Sequence, residues 1–173
     1  SFFTLSSVAV STLAARSTSA ESALQKTRFQ IACMTLPYSQ FPLARALKGI
    51  QQAGFQFIAW GTTHRESDAE KSVPVIPIDG TESLAKELGK RCRDHGLEPV
   101  MMFSMIYPEH QGAVEKLTQR FKQASAAGIP QVLTFGHTEG GNRSRWIEVF
   151  KQLGPVARDL NVTLVVKQHG GET

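Results

Sequence analysis

Four times in this chain a helical stretch ends on Gly or Asn, one apolar residue follows, and a short apolar run begins. The passages are Ala53-Gly54-Phe55-Gln56 into Phe57-Ile58-Ala59-Trp60, and His95-Gly96-Leu97-Glu98-Pro99 into Val100-Met101-Met102-Phe103. Then come Ala127-Gly128-Ile129-Pro130 into Val132-Leu133-Thr134-Phe135, and Leu160-Asn161-Val162 into Leu164-Val165-Val166. Gly and Asn tolerate the positive φ that closes a helix, and the apolar residue after them packs back on the last turn. Positions 96, 128 and 161 recur at the length of one strand–helix unit, while the interval from 54 to 96 holds an inserted loop. Helix exits feeding buried-type strands imply parallel strands joined by crossover helices.

The pattern predicts five strands, at 29–34, 57–60, 100–105, 131–135 and 163–167, alternating with four helices. The first helix starts near Pro42, a residue suited to the first helical turn, and buries Leu43, Leu47 and Ile50. The second runs over 82–95 with the stripe Leu84, Leu88, Cys92. The third carries Val114, Leu117, Phe121 and Ala124, and the fourth Trp146, Phe150, Leu153, Ala157 and Leu160. Residues 61–80 read as a polar loop. The glycine-rich turn 136–142 ends at Asn142, an N-cap that also suits an anion.

Two architectures fit: an open doubly wound sheet, or part of a (β/α)8 TIM barrel. The first strand exits through Met34-Thr35-Leu36-Pro37-Tyr38, without the glycines of a dinucleotide-binding turn. The sequence stops at Gly170-Gly171-Glu172-Thr173, after strand five and before any closing helix. It therefore reads as the N-terminal part of a barrel, which takes roughly 250 residues. The barrel form predicts strand order 1-2-3-4-5.

Residues 1–25 read as an export leader and 26–173 as the partial barrel. The leader is a mildly apolar Ser/Thr/Ala-rich run, and Thr18 and Ala20 supply the small residues of a cleavage site. Ser1-Phe2-Phe3-Thr4-Leu5 is similar to the segment after the paired arginines of twin-arginine signals. A periplasmic or extracellular protein is expected, without a stable membrane span, since the run is too short and polar to cross a bilayer. The net charge of +4 is scattered over helices rather than interleaved with aromatics, so no nucleic-acid partner is expected. Cys33 and Cys92 fall on a strand and a helix stripe and read as buried thiols; there is no CxxC or zinc spacing.

In either architecture, function collects beyond the C-terminal ends of the strands. Thr35 and Tyr38 stand there after strand one, and Trp60, Thr62, Thr63, His64, Arg65 and Glu66 after strand two. Ser104, Tyr107, Glu109 and His110 follow strand three, His137 and Glu139 strand four, and Lys167, Gln168, His169 and Glu172 strand five. Imidazoles and carboxylates on one rim move protons or hold a divalent ion, and aromatic rings offer a wall to a sugar. Trp60, His64, Tyr107 and Glu139 are therefore candidate substrate contacts. His137, His169 and Lys167 are the catalytic candidates.

These passages, with Leu164-Val165-Val166-Lys167-Gln168-His169-Gly170-Gly171, resemble in order and spacing the xylose-isomerase-like TIM barrel superfamily, the sugar phosphate isomerase/epimerase group. The resemblance covers about residues 29–172. It implies a barrel that binds a sugar or polyol, shifts a proton next to a carbonyl, and often holds a divalent metal such as Mn or Mg. Where many members place a ligand glutamate, this chain has Lys167, whose ammonium cannot ligate a cation. Lys167 is left to bind a sugar hydroxyl, carboxylate or phosphate, or to form a Schiff base. The readings are an isomerase/epimerase-like protein, a non-catalytic sugar-binding barrel, or an AP-endonuclease-like metal phosphodiesterase. An oligomer is compatible with each.

Overall fold

The computed structural model describes residues 29–66, 72–137 and 139–168. In chain order its elements are β1 (Ala32–Met34), a 3-10 turn (Leu36–Tyr38), α1 (Leu43–Gln52), β2 (Phe57–Trp60), β3 (Thr63–His64) and β4 (Val73–Pro74). They continue with α2 (Glu82–Asp94), β5 (Glu98–Phe103), α3 (Ala113–Ala127), β6 (Gln131–Phe135), α4 (Arg143–Asp159) and β7 (Thr163–Lys167). The residues read as an export leader lie outside the described ones.

The five-stranded sheet has the order β1-β2-β5-β6-β7, and every pair in it is parallel. Each long strand thus lies beside the next in sequence, with no point where the order reverses. Successive right-handed βαβ units laid side by side in this way are the arrangement of a barrel wall, not of a doubly wound sheet. The short strands β3 and β4 pair antiparallel within 61–80, a stretch that reads as loop from sequence alone. Two-residue strands are below the length at which alternation shows.

The four helix exits close alike. Gly54, Gly96, Gly128 and Asn161 have φ of 87°, 72°, 73° and 53°. The next N–H in each case donates to a carbonyl five residues back: Phe55 to Ile50, Leu97 to Cys92, Ile129 to Ala124, and Val162 to Ala157. These bonds satisfy carbonyls that a helix end leaves orphaned. They also press an apolar residue into the core, where Leu97 and Ile129 are at most 1% exposed.

One face of the sheet, with Ile58, Trp60, Met102 and Val132, packs against the helices. Their facing residues include Leu47 and Ile50 of α1, Cys92 of α2, Leu117 and Phe121 of α3, and Val149 and Leu153 of α4. Each fully buried large side chain contributes about 1.5–3 kcal/mol. α2 and α3 meet at Gly89, where an added Cβ would stand 2.7 Å from the Ala127 carbonyl oxygen. The buried side of α2 is Ala85, Leu88, Gly89 and Cys92, and Leu84 is 41% exposed. The expected stripe Leu84, Leu88, Cys92 thus fails at its first member. An i, i+4, i+8 series drifts about 80° around a helix, whereas i, i+3, i+4, i+7 stays on one side. Likewise Phe29 and Ile31, expected in the first strand, are 82% and 69% exposed, and pairing begins at Ala32 opposite Phe57.

Candidate active site at the strand ends

Register decides which side chains share the open face of the sheet. Met102 and Val132 are paired and face the helices, so the next pair, Phe103 and Leu133, faces the other way. On β7, Val165 pairs with Leu133 and Lys167 with Phe135. Lys167 therefore stands on the open face, at the C-terminal edge, as strand alternation from Leu164 requires. It is exposed and takes part in none of the ion pairs among the described residues.

Above this edge five rings form a continuous shelf. The Phe103 and Phe135 rings stack at 5.2 Å between centroids, and Tyr107 meets Phe135 edge-on at 4.8 Å. His137 lies parallel to Tyr107 at 4.1 Å and 8° between planes. His110 tilts against both, and its Nε2 is 3.2 Å from the Nε2 of His137. At that distance a hydrogen bond joins the rings when one carries a proton on its Nε2 and the other does not.

The loop that carries Tyr107 is strapped to the neighbouring strand. Ser104 donates to the Leu133 carbonyl through both its N–H (3.0 Å) and its hydroxyl (2.9 Å). The buried Thr134 hydroxyl donates to the Ile106 carbonyl at 2.6 Å. Between these straps Met105 takes φ 52°, the left-handed region that costs a side-chain-bearing residue about 1–2 kcal/mol. The turn it makes brings Tyr107 over Phe135. Beside it, both carboxylate oxygens of Glu109 are sealed from solvent without a hydrogen-bond partner.

Of the residues singled out by sequence, the structure brings Tyr107 and His137 together and sets Lys167 on the same face. Trp60 goes elsewhere. It is 1% exposed, in the core between sheet and helices. Its indole N–H meets no acceptor in hydrogen-bonding geometry, though it lies close enough to offset part of the upward push that burial gives the Cys92 thiol. His64 is 0% exposed; its Nδ1 donates to the Phe41 carbonyl at 2.9 Å, and its Nε2 is buried without a partner. That bond pins the turn after β1 to β3. Glu139 is exposed in the loop after β6, and His169 lies outside the described residues. From sequence, His110 stands on the rim without a role, and Phe103 and Phe135 read only as strand residues. The parity of their strands, set by which neighbours face the helices, is the signal for both phenylalanines.

The rim does not fit a metal held at the end of β7. Lys167 occupies that place, and among the described residues no three His, Cys, Asp or Glu side chains converge.

By sequence, no family model and no curated protein matches the chain. By structure the likeness is consistent. An uncharacterised protein of Parabacteroides distasonis superposes with TM-score 0.62 at 13% identity, over 82% of this chain and 53% of that one. An IolI protein with a bound zinc atom gives 0.58 at 9%, over 80% and 51%. An L-ribulose 3-epimerase gives 0.53 at 21%, over 79% and 48%. The chain thus shares part of the TIM-barrel fold of these structures, and spans about half their length. Several neighbours of this fold carry sugar isomerase or epimerase names.

Proposed function

We propose that this chain carries the substrate-facing part of an isomerase or epimerase that moves a proton next to the carbonyl of a sugar or polyol-derived ketone. The supporting observation is the His110–His137 pair stacked on Tyr107, on the rim whose open face also holds Lys167. The half-buried Phe103 and Tyr107 rings, backed by the buried Phe135, suit the C–H face of a sugar ring. His137 accepts the proton from the carbon beside the carbonyl, and the bonding pair left behind moves to the carbonyl oxygen, giving an enediolate. Lys167 stabilises the oxygen charge that develops. Protonation of that carbon from the opposite face by water gives the epimer, the proton on His137 leaving to water through His110. Return of the proton from His137 to the former carbonyl carbon, with the hydroxyl proton of the first carbon moving to the former carbonyl oxygen, gives the isomer. His110, more exposed than His137, exchanges its proton with water and resets the pair. A leader at residues 1–25 would place this activity outside the cytoplasm.

Calorimetric titration of the full protein with ketoses tests the reading. Tyr107→Ala and Lys167→Ala each weaken binding of the ketose that the parent protein takes. Undiminished affinity in both variants contradicts it.

A further inference from the structure

We propose that the turn from Tyr107 to Gly112 is a gate over the rim, closed in this structure, and that Glu109, sealed inside it, favours its opening. That the gate admits the substrate rests on the functional reading above; the opening itself does not.

Neither carboxyl oxygen of Glu109 reaches water, and neither has a hydrogen-bond partner or an ion pair among the described residues. A carboxyl group so placed has lost its hydration and gained no bond in exchange, so the closed turn carries a cost that opening removes. The turn is held lightly by its own backbone. The His110 N–H donates to the Tyr107 carbonyl at 3.1 Å and the Ala113 N–H to the His110 carbonyl at 3.2 Å, the long end of the range for such bonds. Its flanks are fixed. The Thr134 hydroxyl holds the Ile106 carbonyl, and Ala113, at the start of α3, is 1% exposed. Between the turn and α3 stands Gly112, with φ 73° and no side-chain cap, a joint that glycine alone turns without strain. Side chains close the turn: the buried Pro108, Tyr107 on Phe135 and His137, and His110 on His137. Phe135 and His137 belong to β6 and the loop after it. Opening therefore parts His110 and Tyr107 from His137 and uncovers the rings between them, and closing reassembles the pair over whatever has entered. Local opening of this kind, at a free energy below that of global unfolding, is what a lightly bonded surface turn allows.

The test follows amide hydrogen exchange in the full protein without ligand. In the parent, the His110 and Ala113 N–H groups exchange faster than those of β6. Glu109→Met keeps the length of the side chain and removes the cost of sealing the carboxyl group. Exchange at His110 and Ala113 then slows by about tenfold or more, the scale of a buried polar group left unpaired. Glu115→Met, which removes an exposed carboxylate from the first turn of α3, gives no slowing. Unchanged or faster exchange in Glu109→Met overturns the proposal, as does equal slowing in Glu115→Met or a parent turn protected as well as β6. Stopped-flow mixing with the ketose that the parent binds tests access, and association slows in Glu109→Met along with exchange. If exchange slows and association does not, the access half of the proposal is overturned. If exchange slows and the parent binds no ketose, the functional reading fails while the gate stands.

Discussion

Lys167 stands directly across the β6–β7 ladder from Phe135, on the side of the sheet turned away from the helices. An ammonium thus lies beside the aromatic shelf at the place where the resemblance puts a metal-ligating carboxylate. Lys167→Ala is expected to lower ketose affinity by about tenfold or more, the scale of one lost charge-assisted hydrogen bond of about 1.5–3 kcal/mol. Thermal stability changes by no more than that of an ordinary surface substitution, since the side chain is exposed and outside every described ion pair. Parallel melting and titration curves check both halves.

Gly89→Ala is expected to destabilise the protein by about 1–3 kcal/mol, because the new methyl meets backbone rather than a flexible side-chain end. Denaturant unfolding measures it. Gly49→Ala is the control, since nothing lies within 4 Å of its added Cβ and a helix favours Ala.

Gln123 is fully buried on α3, and its amide donates to the Pro77 and Gly80 carbonyls, each at 2.8 Å. Its oxygen accepts from Arg120, whose guanidinium also reaches the Ile76 carbonyl at 3.0 Å and whose pKa is lowered by burial. Gln123→Leu removes one donor from each of these two carbonyls, which keep the Gly80 N–H and the Gln119 amide, and takes from Arg120 its side-chain acceptor. The loss of these hydrogen bonds is expected to cost about 1–3 kcal/mol. Amide hydrogen exchange would show the loss concentrated in residues 76–80; a uniform increase in exchange across the sheet would contradict this account.

The parallel sheet and its strand order were legible because helix punctuation is local chemistry. Gly54, Gly96, Gly128 and Asn161 each hold the positive φ their residue type suggests, and β6 and β7 have the ends that hydrophobic runs mark. The site was legible only in part. A residue's place after a strand follows from sequence, but whether it faces the mouth or the helices depends on strand parity. Parity is reset between β2 and β5 by a register shift at Ile58/Ala59, opposite Pro99, which has no N–H to continue the ladder. Trp60 falls on the helix side with Ile58, two residues before it on β2, and the shift brings Met102 of β5 to the same side. His64 is captured by the Phe41 carbonyl, a contact 23 residues away that no local pattern encodes. The meeting of His110 with His137 depends on the positive-φ turn at Met105, a residue type that gives no hint of it.

The most direct test of the central claim is deuterium exchange. The full protein is incubated with a series of ketoses in D2O, and loss of the proton signals beside the carbonyl is followed by NMR. The account predicts exchange at one such carbon of at least one ketose. It predicts a fall in that exchange of about 100-fold or more in His137→Gln, the scale set for a lost general base, with the ketose still bound. Exchange that persists undiminished in folded His137→Gln, or a ketose that binds to the shelf and never exchanges, would contradict it.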